Sequence, residues 1–96
     1  KKATKLKGEI LMAIGNVFLA EGHAKQAASH YGLFLREYPK SRHVPQAMYF
    51  LGEAMEELGE EEKQKILWKE LIQNYPESSL AKRTKKRLRS SSASSN

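Results

Sequence analysis

The residues that could do chemistry are few and scattered along this chain of 96 residues. It has no cysteine, and all 11 acidic residues are glutamate, which excludes a thiolate nucleophile, a thiolate metal site and a Ser-His-Asp triad. His23, His30 and His43 are isolated in the sequence, and His23 and His30 stand two helical turns apart, too far to share a metal ion. We therefore expect no catalytic residues, no metal site and no cofactor.

A cluster of glutamates is the remaining candidate for a cation site. Six of them lie between Glu53 and Glu62, but calcium loops interleave Asp, Asn and Gly in an order that is absent here. We favour a solvated helix end and turn.

The charge of the chain is concentrated at its two ends. The net charge is +6, yet residues 9–77 are acidic, while residues 1–8 and 78–96 hold ten cations and no acid. A basic isoelectric point is therefore not by itself the footprint of a nucleic-acid binder. The chain starts with Lys1 inside a helical pattern, so we expect a piece of a longer protein, and any signal peptide or lipid anchor would lie upstream.

The elements that must position these residues are all helical, because apolar residues recur at steps of three and four nearly throughout. On the first helix this stripe holds Leu6, Ile10, Ile14, Val17 and Phe18. The third helix starts either after Ser41 as N-cap or with Pro45 in its first turn. We predict a disordered, serine-rich tail at 90–96. The predicted helices cover about 3–20 and 23–38, then a third that ends at about Leu58, and finally about 60–75 and 78–89.

The chain repeats itself with a period of 37 residues. The identities fall on helix stops, chain breaks and caps, so each unit is a helical hairpin and the whole is a solenoid. The identical pairs are Gly15 with Gly52, Gly22 with Gly59, Tyr38-Pro39 with Tyr75-Pro76, Ser41 with Ser78, and Leu51 with Leu88.

Two of these glycines lie inside helices, where glycine lowers the stability of the helix by about 1 kcal/mol relative to alanine. Sixteen residues after Gly15 and Gly52 stand the large rings of Tyr31 and Trp68. We predict that each ring packs over its glycine and closes the hairpin tightly.

The pattern Leu11-x2-Ile14-Gly15-x2-Phe18 followed by Ala27, Tyr31 and Pro39 resembles the tetratricopeptide repeat, and residues 48–76 resemble it again. Gln64 departs from the pattern, because the family prefers alanine there. The resemblance implies an all-α solenoid of two repeats, at about 9–40 and 46–77, and a capping helix at 78–89.

The longer link between the repeats, with the segments 34–41 and 49–53, resembles bacterial envelope members of this superfamily. These are the periplasmic coordinator of the Tol-Pal system and, less closely, the lipoprotein subunit of the outer-membrane barrel-assembly machinery. This resemblance implies the periplasm or cell envelope.

In this family the first helices of successive repeats line a concave groove that receives a partner protein or peptide. Met12, Leu19 and Tyr49 would face outward there, or else pack against a missing upstream repeat or a second copy in a homo-oligomer. Asn16 matches a carboxylate-gripping position, but Met12 stands where those members carry lysine. By repeat position the lining would be Glu9, Met12, Asn16 and Leu19, then Gln46, Tyr49, Glu53 and Glu56, then Arg83 and Lys86.

The basic residues of the last helix allow a second interpretation. Lys82, Lys85, Lys86 and Arg89 share one face, which could lie on nucleic acid or an anionic membrane. We favour a capping helix, because no exposed aromatics interleave with the charges. The sequence thus predicts a non-enzymatic interaction module or scaffold, with a basic nucleic-acid- or lipid-binding module as the alternative.

Overall fold

The structure is a computed structural model that describes the backbone of residues 2–94 and the side chains of residues 6–90. Five helices follow one another, with no strand in the described part of the chain. The all-α fold of two helical hairpins and a final helix is therefore confirmed. The helices are α1 (Lys2–Ala20), α2 (Ala24–Glu37), α3 (Val44–Glu57), α4 (Glu61–Asn74) and α5 (Ser79–Ser94).

Both hairpins turn at a glycine, as predicted. Gly22 and Gly59 have φ of 84° and 77°, a left-handed conformation that side chains with a Cβ rarely adopt. After α1, the His23 amide donates to the Phe18 carbonyl at 2.8 Å, and after α3 the Glu60 amide donates to Met55 at 2.8 Å. This six-to-one bond, beside the Gly22-to-Leu19 and Gly59-to-Glu56 bonds, is the Schellman motif that ends helices.

The second helix of each hairpin ends before proline in the same way. Tyr38 and Tyr75 leave the helical region with nearly identical backbone angles, because a residue before proline avoids the α conformation. Ser41 then accepts a hydrogen bond from the His43 amide at 3.0 Å, and α3 begins at Val44 with proline in its first turn. Pro45 rather than Ser41 therefore marks the start of α3.

The helices pack in sequence, each on the one before it, and α3 also contacts α1 and α5. Large side chains from the second helices form the centre of the core, with Tyr31, Phe34, Trp68 and Leu71 all at most 2% exposed. The first helices of the hairpins are thereby held side by side, which is the arrangement a groove requires.

The apolar stripe predicted as the core face of α1 is in fact its outer face. Leu6, Ile10, Ile14 and Val17 are 37–58% exposed, and only Phe18 of that set packs against the core. The buried face holds Gly8, Met12 and Gly15 instead. The reason is steric: rings from α2 occupy this space, so α1 presents small residues to them.

The last helix is longer than predicted. It continues through Ser94, where the sequence predicted a disordered tail from residue 90, because no proline or glycine follows Arg89 to stop it. Residues 95–96 of that predicted tail lie outside the described residues.

Candidate partner-binding groove

The rings of Tyr31 and Trp68 pack over Gly15 and Gly52, as the repeat predicted. A Cβ placed on Gly15 would lie 2.8 Å from the Tyr31 ring, and one on Gly52 would overlap the Trp68 indole. The indole also donates a hydrogen bond to the Tyr49 carbonyl at 3.3 Å. The second helix of each hairpin thereby holds the first one close and fixes the spacing of α1 and α3.

Between α1 and α3 lies a shallow depression of about 220 Å³. It brings together four of the predicted groove residues, Glu9, Met12, Asn16 and Gln46. Of these, Glu9, Asn16 and Gln46 are exposed, whereas Met12 is 6% exposed and contributes an apolar wall. Ala13 and His43, which the sequence analysis did not place here, complete the lining.

The amide of Asn16 is held by the core beneath it. The Tyr31 hydroxyl donates a hydrogen bond to Asn16 Oδ1 at 2.5 Å. Burial, together with the negative charge of Glu53, raises the pKa of Tyr31 to about 12, so the hydroxyl remains protonated and able to donate well above neutral pH. With its oxygen engaged, the Asn16 amide offers its N–H groups as donors.

The other end of the concave face is covered by α5. Arg87 donates from Nη1 to Glu53 at 2.8 Å and to the Tyr49 hydroxyl at 2.9 Å, and from Nη2 to Glu56 at 2.8 Å. Its guanidinium lies 4.7 Å from the centre of the Trp68 ring, a cation–π arrangement. Burial lowers the pKa of Arg87, but the bonds to Tyr49 and Glu53 more than offset this and raise it above its ordinary value.

Two predicted groove residues are therefore not the exposed apolar groups that the sequence suggested. Met12 is 6% exposed and Tyr49 is 4% exposed. Tyr49 stacks on Trp68 with the ring centres 5.3 Å apart, and Arg87 covers its hydroxyl. Tyr49 is thus a core residue whose hydroxyl accepts a hydrogen bond from Arg87.

The basic wall predicted on α5 is also differently composed. Arg83 and Lys86 are exposed, while Arg87 makes the contacts to the predicted acidic residues Glu53 and Glu56. Arg87 lies one position after Lys86 and about one helical turn after Arg83, and it is the α5 cation that contacts these two carboxylates. The family pattern does not indicate a role for Arg87. Its spacing from Thr84 and Leu88, which lie on the predicted apolar side of α5, could have indicated that it faces inward.

Leu19, the third apolar residue predicted to face outward, is instead half-buried and packs against the core. Gln64, which replaces the alanine of the family pattern, is buried and donates to Glu56 at 3.3 Å, so its amide joins the Arg87 cluster. Lys82, Lys85, Lys86 and Arg89 are exposed on α5.

The described residues contain no group of three or more His, Cys, Asp or Glu side chains that could hold a metal ion. Within the same part of the chain, no helix combines the length and apolarity needed to cross a membrane.

Comparison with known proteins identifies the repeats. The model of the tetratricopeptide repeat family matches residues 9–41 and 46–78, within one residue of the two repeats predicted from the sequence. Neither the curated proteins nor the solved structures compared with the chain give a match. Because the matched segments make up more than half of the chain, it belongs to the tetratricopeptide repeat family, whose members generally mediate protein–protein interactions and are typically non-enzymatic scaffolds.

Proposed function

We propose that this chain is a non-enzymatic scaffold that binds a segment of a partner protein in the depression between α1 and α3. The observation that carries the proposal is the pairing of an exposed Asn16 amide, oriented from below by Tyr31, with Gln46 and Glu9 around an apolar wall. Polar groups held in place around an apolar patch are what orients a bound ligand.

The chemistry of the lining indicates what the segment offers. The Asn16 and Gln46 amides can donate to peptide carbonyls, and the nearby Glu9 carboxylate favours a cationic side chain. Glu53 and Glu56 are already neutralised by Arg87 and add little attraction. The expected ligand is a peptide segment with exposed carbonyls, an apolar side chain and a basic residue.

A matched pair of glutamine substitutions tests the site. Peptides selected from a random displayed library on the wild-type chain are titrated against Gln46→Arg and Gln73→Arg. Both glutamines are exposed, but Gln73 lies on α4, away from the depression. We expect Gln46→Arg to weaken binding at least tenfold and Gln73→Arg to leave it unchanged.

The alternative, a basic module for nucleic acid or anionic lipid, rests on the exposed cations of α5. It predicts that the chain binds duplex DNA or phosphatidylserine vesicles with an affinity that falls steeply with salt, and that replacing Lys82, Lys85, Lys86 and Arg89 by alanine abolishes this binding. Peptide binding that survives this replacement but is lost with Gln46→Arg favours the groove. Equal loss with Gln46→Arg and Gln73→Arg contradicts it.

A place in a bacterial envelope complex is the finer part of the proposal. Its support is the resemblance of residues 34–41 and 49–53 to envelope members of the superfamily. Fractionation of the parent cells with an antibody against this chain tests it, since recovery in the cytoplasmic fraction would contradict an envelope location.

A further inference from the structure

The outer face of α1 carries a continuous row of apolar side chains that its own hairpin does not use. We name this row the outer seam: Leu6, Ile10, Ala13, Val17 and Ala20. All five are exposed, Leu6 and Val17 by more than half. A row of this kind on a small domain marks an interaction surface.

The spacing of the outer seam is that of a coiled coil. Its members follow one another at steps of four, three, four and three residues, the heptad spacing that keeps one face against a partner helix. Gly8 and Gly15 stand on the opposite, buried side, so the seam is independent of the hairpin contacts.

In the second repeat, the corresponding face of α3 is covered by the preceding hairpin. The seam positions of α3, 37 residues later, include Ala47 and Ala54, both 0% exposed, and Phe50, which stacks on Tyr31 of α2. The groove beside the seam, lined by Ile10, Leu11, Leu33 and Tyr38, has about 450 Å³. Its counterpart in the second repeat has about 310 Å³, because Leu35 and Pro39 of the preceding hairpin extend over it.

We propose that the seam is covered by α1 of a second copy of this chain, packed antiparallel about a two-fold axis near Ile14. Lys7 and Glu21 are both exposed and each lies seven residues from Ile14. Antiparallel pairing therefore places Lys7 of one copy opposite Glu21 of the other, twice by symmetry. Along the seam itself, the pairs nearest this axis are Ile10 with Ala20 and Ala13 with Val17, which are centred one residue further on, at position 15.

The charge distribution along α1 favours an antiparallel over a parallel pair of helices. The first turn of α1 holds no acidic residue, and residues 1–8 include four lysines. A parallel pair would bring these eight cations together, whereas an antiparallel pair sets them beside the negative, C-terminal end of the other helix. This interface shares only Ala13 with the α1–α3 depression of the proposed function, and each surface is tested with its own variants, so either proposal can fail alone.

Sedimentation equilibrium of the 96-residue chain over micromolar concentrations tests the dimer. The wild-type chain is expected to fit a monomer–dimer equilibrium, Ile10→Lys to remain monomeric, and Ile66→Lys to dimerise as wild type. Ile66 is the matched control, because it is 67% exposed on α4. A monomeric wild-type chain, or a dimer that Ile10→Lys leaves intact, would overturn the proposal.

A charge-reversal cycle tests the orientation without changing apolar residues. Lys7→Glu and Glu21→Lys each replace two attractive pairs by two repulsive ones and should raise the dimer dissociation constant about tenfold. The double variant restores opposite charges and should return it to the wild-type value. Single variants without effect, or a double variant at least as weak as either single one, would contradict the antiparallel pair. Circular dichroism confirms that each variant is folded.

Discussion

At the scale of single residues, the fit between ring and glycine determines how closely each hairpin packs. We predict that Gly52→Ala lowers the free energy of unfolding by about 1–2 kcal/mol, because overpacking against the Trp68 indole outweighs the gain in helix propensity. Gly32→Ala is the control. Gly32 also lies within a helix but has no atom within 4 Å of its added Cβ, so it should gain up to about 1 kcal/mol. Urea denaturation of both variants measures the difference, and two gains of equal size would contradict the packing account.

The buried hydroxyl of Tyr31 gives a pH-dependent contribution to stability. Its pKa is about 12 in the fold, against 10.0 for an exposed tyrosine, so between these values the folded state holds a proton that the unfolded chain has lost. Stability therefore falls as the pH rises from 10 to 12, by about 1 kcal/mol per pH unit from this group.

The control for this pH dependence is the Tyr31→Phe variant, which keeps the ring but lacks the hydroxyl. Other titrating groups are common to both chains, so the difference between their slopes of stability against pH isolates Tyr31. Urea denaturation at several pH values measures it. Parallel slopes above pH 10 would contradict the assignment.

Residue-level contacts could be predicted from the sequence where the repeat marks them twice. Gly15 and Gly52 were found because each is followed at the same distance by a large ring. Gly8 was missed, although its added Cβ would lie 3.2 Å from the Phe34 ring, because its counterpart 37 residues later is Pro45 and gives no second copy of the signal. Arg87 was missed because its partners come from residues more than 30 positions away.

At the scale of the helices, the limit of the sequence is the choice between two faces. The periodicity of α1 indicates an apolar stripe correctly, yet the larger residues lie outside and Gly8, Met12 and Gly15 inside. Which face of α1 is buried depends on the aromatic side chains that α2 packs against it. The hydrophobic pattern of α1 alone does not indicate this. The ends of the helices are easier to predict than their buried faces, because glycine and proline act on the backbone next to them.

The last helix packs through a narrow face around the buried Ala81 and Thr84, and Arg87 adds ion pairs to this contact. Arg87→Met keeps the length of the side chain but leaves the Glu53 and Glu56 carboxylates without their shared cation, and we expect it to lower the free energy of unfolding by about 1–2 kcal/mol. Lys86→Met, at an exposed neighbouring position, should change it by less than about 0.5 kcal/mol. Urea denaturation and amide exchange of α5 measure both, and equal effects would show that the Arg87 cluster does not hold the helix.

At the scale of the whole molecule, the solenoid has two unlike ends. At one end α5 covers Tyr49 and Trp68 through Arg87 and turns exposed cations outward. At the other end α1 leaves the outer seam exposed. In a linear array each unit is stabilised mainly by its neighbours, so within these 96 residues the helix whose outer face is exposed should open first.

This asymmetry predicts how local stability depends on protein concentration. In dilute solution, where the chain is monomeric, amides of α1 should exchange faster than those of α3 and α4, because only one face of α1 is buried. As concentration rises and the outer seam is covered, protection of α1 should increase by mass action. Hydrogen exchange followed by mass spectrometry measures this helix by helix, with Ile10→Lys as the control that should show no concentration dependence. Protection of α1 equal to that of α3 and α4 at every concentration would mean that the outer seam needs no partner to keep its helix folded.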